Sequence, residues 1–101
     1  MNITEDKIRQ IFHSISDPYG LMDKLAPQEI ARLTELVFVT ISEWEEKQGA
    51  KPRLSFDQWL PIMKGLIVDA LEQSQEVFGY LNLSEMLSMD ELLNQIYQAQ
   101  T

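Results

Sequence analysis

Apolar residues recur along this chain at helical spacing, and most periodic stretches are preceded by a residue able to cap a helix. Ile8, Ile11, Phe12 and Ile15 fall at i, i+3, i+4 and i+7 behind Thr4. Ile3 and Ile8 occupy the two positions of a hydrophobic staple, which fixes how a chain enters its helix. Asp17-Pro18 reads as a cap with proline at the first helical position, predicting a short helix through about Leu25 that Gly20 weakens. Pro27 then opens a long helix predicted to reach Gln48 and stop at Gly49. Ile30, Leu33, Val37, Ile41 and Trp44 share one of its faces, while Leu36, Phe38 and Val39 point elsewhere. A helix apolar almost all round is central, contacted from two sides. The rival reading is a strand over Leu36 to Ile41, which is rich in β-branched residues; the periodic flanks, start signal and glycine stop favour helix.

Ser55 with Gln58 makes a capping box, stapled by Leu54 and Trp59, and predicts a third helix running to about Phe78 with Gly79 as its stop. Trp59, Ile62, Met63, Leu66, Ala70 and Val77 are its expected buried face, with Pro61 marking a kink or a later start near Leu60. Trp44 and Trp59, on the core stripes of adjacent helices, are both expected to be largely buried. Asn82 with Glu85 resembles the cap of a short helix. Ser88 with Glu91 makes another capping box, stapled by Leu87 and Leu92, for a last helix from Met89 to about Gln100. The short connection between the two long helices makes them antiparallel neighbours. The expected fold is all-α: a compact bundle of four main helices plus one or two short helices, with a central antiparallel helix hairpin, in a single domain over residues 1–101.

Composition narrows the chemistry. The 101 residues include no cysteine, which removes disulfides, thiolate zinc sites and cysteine nucleophiles. The single His13 lies off the apolar stripe of the first helix, so it is expected to face solvent without a partner base. Gly20, Gly49, Gly65 and Gly79 are isolated and form no phosphate-cradling loop. No calcium-loop pattern occurs. The expectation is a protein that is not an enzyme and needs no cofactor or metal. The N-terminus lacks a basic segment followed by an apolar core, and the apolar run Leu36 to Ile41 is too short to span a bilayer. A cytoplasmic protein that binds no membrane is expected.

Charge changes the picture further. The net charge is −8, which disfavours direct binding to nucleic acid. Residues 1–64 hold 10 acidic and 8 basic side chains, whereas residues 65–101 hold 6 acidic and none basic. Asp69, Glu72 and Glu76 recur at i, i+3 and i+7 with no Lys or Arg nearby to neutralise them. The same C-terminal third is rich in apolar residues, among them Phe78, Tyr80, Leu81, Met86 and Met89. Methionines and aromatics beside uncompensated carboxylates suit an adaptable binding surface. The leading expectation is therefore a small acidic interaction module (an adaptor, regulator or assembly factor) that binds its partner through Asp69, Glu72, Glu76, Phe78, Tyr80, Leu81, Met86 and Met89. The partner is another protein with a basic surface, or a second copy of this chain. Two other readings stand beside it: an acidic inhibitor mimicking nucleic acid, and a small-ligand carrier with a cavity between helices. If the C-terminal third instead closes the bundle as a lid, the interface is expected on Leu36, Val39 and the first helix. Lys47, Lys51 and Arg53 form the one local basic cluster, readable as a small-anion contact or as a solubilising loop facing Glu45 and Glu46.

Overall fold

The computed structural model describes residues 3–49, 51–75, 77, 78 and 81–100. Six helices follow one another: α1 (Glu5–Ser14), α2 (Leu21–Lys24), α3 (Pro27–Gln48), α4 (Phe56–Gln73), α5 (Leu83–Met86) and α6 (Met89–Ala99). Among the described residues there is no strand, so the β-branched run Leu36 to Ile41 is helical.

Local chemistry accounts for most helix starts. Thr4 Oγ1 accepts from the Lys7 amide at 3.2 Å, and Ile3 and Ile8 are both buried, as a staple requires. Glu29 reaches back to accept from the Ala26 amide at 2.8 Å, and Pro27 stands at the first position of α3. Gly49 ends that helix with φ 62°, a value that L side chains resist. Ser55 and Gln58 bond reciprocally, each side chain accepting from the other's amide. Replacing Ser55 with alanine is expected to cost about 1 kcal/mol in urea unfolding. An unchanged midpoint would place the working start of α4 at Pro61.

Three local signals are overridden. Proline does not open α2. Asp17 instead accepts from the amides of Leu21 and Met22 at 2.7 and 2.9 Å, across a turn completed by Gly20 in the left-handed region (φ 66°, ψ 35°). The predicted Ser88–Glu91 capping box does not form. Ser88 Oγ donates to the Ser16 carbonyl at 2.7 Å and Glu91 Oε2 accepts from the Ser16 amide at 3.2 Å, so both side chains tie α6 to the end of α1. Asn82 likewise makes no side-chain cap and accepts from Ser84 Oγ instead.

α4 also differs from expectation at its end and on its covered face. It stops at Gln73, short of Phe78. No apolar residue lies between Leu71 and Val77, so another helical turn would bury nothing. The chain leaves through successive turns, Ser74 bonding to the Leu71 carbonyl and Phe78 to the Gln75 carbonyl, and Phe78 swings inward. The buried stripe is Trp59, Met63, Ile67 and Leu71, while Ile62, Leu66 and Val77 are exposed and Ala70 is half-buried. α4 packs against both α3 and α6, and the covered face is the one turned toward both. Pro61 is accommodated within α4 on an exposed position, and Asp57, whose carbonyl loses the amide partner that proline lacks, is itself an exposed residue.

The four long helices form a ring in which α1 touches α3, α3 touches α4, α4 touches α6 and α6 returns to α1. The early part of α3 (Arg32, Leu36) faces the end of α4 (Gln73, Ser74), and its late part (Trp44, Gln48) faces Trp59, so the two run antiparallel. Ile8, Leu33, Val37, Ile41, Met63, Ile67, Leu92, Leu93 and Ile96 are fully enclosed at the centre. Thr34 is the one buried polar residue among those described, and its hydroxyl donates to the Ile30 carbonyl at 2.8 Å. Trp59 is buried, but Trp44 is only partly so, because it stands where the α3–α4 seam opens to solvent.

Candidate functional site

The described residues among those singled out from the sequence do not form one surface. Phe78 and Met89 retain 3% and 5% of their surface and belong to the core. Leu81 is half-buried in a narrow cleft with Leu71, Glu72 and Phe78. Met86 is half-buried some way off, against Phe12, Leu21 and Met22 at the α1–α2 corner. Glu76 and Tyr80 lie outside the described residues. Asp69 and Glu72 are exposed on α4 and make no ion pair among the described residues. They border different clefts: Asp69 opens toward α3, whereas Glu72 edges the cleft holding Leu81. Among the described residues of the expected surface, Phe78 and Met89 thus close the bundle, Leu81 and Met86 are half-buried, and Asp69 and Glu72 face solvent.

Exposed apolar surface lies instead along the outside of the α3–α4 hairpin. Val39, Ile62 and Leu66 keep 39%, 39% and 37% of their surface. Two adjoining grooves of about 320 and 350 Å³ run between the helices there. Leu36, Val39, Thr40 and Trp44 line them from α3, and Leu66, Asp69, Ala70 and Gln73 from α4. The α3 half carried a sequence signal, since Leu36 and Val39 point away from that helix's buried stripe. The α4 half was hidden, because Ile62 and Leu66 fit the core periodicity as well as Ile67 and Leu71 do. Glu35, Glu43 and Asp69 outnumber Arg32 and Lys47 along the grooves.

A third opening, of about 280 Å³, lies at the α3–α4 loop between Trp44, Gln48, Lys51, Arg53, Trp59 and Gln100. Tyr97 organises one side of it. The Arg53 guanidinium stacks 3.8 Å from the Tyr97 ring centre and donates to the Tyr97 carbonyl, while the Tyr97 hydroxyl donates to the Leu54 carbonyl at 2.6 Å. The same ring meets Phe56 and Trp59 at 5.5 and 5.2 Å between centres.

His13 is exposed on α1. Among the described residues no three His, Asp or Glu side chains cluster closely enough to hold a metal ion. No described helix is long and apolar enough to cross a membrane. Comparison with protein-family models, curated proteins and solved structures finds no match to this chain.

Proposed function

We propose that this chain is a non-enzymatic protein-interaction module that receives a basic amphipathic helix of another protein along the α3–α4 face. The observation that carries the reading is the apolar seam of Val39, Leu66 and Ala70 left open between two core helices, with Asp69 on its edge. An additional helix laid there would cover the seam with its apolar side, which supplies affinity, and set cations against the carboxylates. The net charge of −8 speeds encounter with a basic partner. It also opposes the approach of a second copy, which favours a different protein over self-association.

Titrating the protein with a synthetic helical peptide of leucine and lysine, followed by NMR, tests this. Shifts are expected at Val39, Leu66 and Ala70, with Leu66→Asp weakening binding about tenfold and an acidic leucine–glutamate peptide binding far less. Equal binding of both peptides, or shifts confined to another face, would overturn the reading. A nucleic-acid mimic would show its own signature, a loss of affinity with salt far steeper than that of a groove held mainly by apolar contacts.

A further inference from the structure

We infer that the opening at the α3–α4 loop is a site for a small organic anion with a flat apolar body, such as an aromatic monocarboxylate. The site is separate from the helix-docking face and does not depend on it. Its volume of about 280 Å³ lies just below the usual span for drug-sized ligands, so it suits something smaller. Its walls divide the work such a ligand requires. Trp44, Trp59 and Leu54 provide apolar and aromatic surface, while Lys51 and Arg53 provide positive charge. Against these two cations stands one lining carboxylate, Glu45, so the pocket is locally positive in a chain whose overall charge is −8. That local reversal of sign selects for an anion.

Two further observations point the same way. Arg53 is held in place before any ligand arrives, by its stacking on Tyr97 and its bond to the Tyr97 carbonyl. A guanidinium has five N–H donors in a rigid fork, so one bond to the protein leaves others to offer. Gln100 lines the same opening, and its side-chain nitrogen is buried with no hydrogen-bond partner. Buried donors are rarely left unpaired, and a rotation of the Gln100 side chain toward the opening would pair this one with an oxygen of a bound carboxylate. The Lys47, Lys51 and Arg53 cluster that looks like a solubilising loop in the sequence is thereby divided: Lys51 and Arg53 line this pocket, while Lys47 lines the groove on the other side of Trp44.

Benzoate titrated into the protein, read by NMR, is the direct test, with benzamide as its neutral counterpart of similar shape. Saturable shifts are expected at the Trp59 indole and the Gln100 side-chain amide, with benzamide binding about tenfold more weakly. Lys51→Gln, at an exposed loop position, is expected to weaken benzoate several-fold while leaving the fold intact. Absence of saturable shifts at millimolar benzoate, equal binding of benzamide, or indifference to Lys51→Gln would each overturn the inference. Trp44 borders both this opening and the groove, so Trp59 and Gln100 are the positions that keep this result distinct from peptide docking at Val39 and Leu66.

Discussion

Phe78→Ala is expected to destabilise the protein by about 3–5 kcal/mol, the usual cost of truncating a fully buried phenylalanine. Phe78 retains 3% of its surface although it lies beyond the end of α4, in a stretch without regular helix. Its ring closes the end of the core beside Leu71, Leu81 and Leu83. Alanine there would remove the buried ring and leave a void that these neighbours fill only in part. Urea unfolding followed by circular dichroism measures the loss directly. A change below about 1 kcal/mol would mean that the ring is not enclosed, and would return Phe78 to the exposed surface expected from sequence.

The second large effect is a contrast between adjacent residues. Ile67→Ala should cost about 2–5 kcal/mol, whereas Leu66→Ala should cost less than about 1 kcal/mol. Ile67 is fully enclosed and Leu66 keeps 37% of its surface, yet both sit in the interior of the same helix. Helix propensity favours alanine over isoleucine by a few tenths of a kcal/mol, which trims the first cost without hiding it. Equal costs for the two variants would mean that the face of α4 assigned to the core is wrong, and with it the open seam. Leu66→Ala also separates stability from binding, because a residue that contributes little to folding remains free to contribute to docking.

That pair of residues also shows how far the sequence could be read. Thr4, Pro27, Gly49 and the Ser55–Gln58 pair were legible because a cap is local: its donor and acceptor lie within three or four residues. The face of α4 was not, because apolar residues occupy two neighbouring ridges, and the choice between them is made by α6 packing from a distant part of the chain. Ser88 and Glu91 show the same limit from the other side, since a sound local pattern yielded to Ser16, more than seventy residues away. In the candidate site, Asp69 and Glu72 were legible as exposed charges because nothing nearby could neutralise them. Phe78 and Met89 were not legible as core, because composition says that residues are apolar without saying which way they turn. The loop pocket was further out of reach, as it joins Trp44, Trp59 and Gln100 from three helix ends.

The contacts at Ser16 also constrain how the molecule comes into being. Ser88 and Glu91 reach it across 72 and 75 residues, and Ser14 meets Gln95 across 81. The α3–α4 hairpin can form from nearby segments, but α1 and α6 must find each other from opposite ends of the chain, and such distant pairings slow a fold that is otherwise rich in local contacts. During synthesis, the buried side chains Met63 and Ile67 of α4 lack the cover of α6 until that helix has left the ribosome. The ring of helices therefore closes only when α1 and α6 meet, after the α3–α4 hairpin that lies between them in the sequence has already been made.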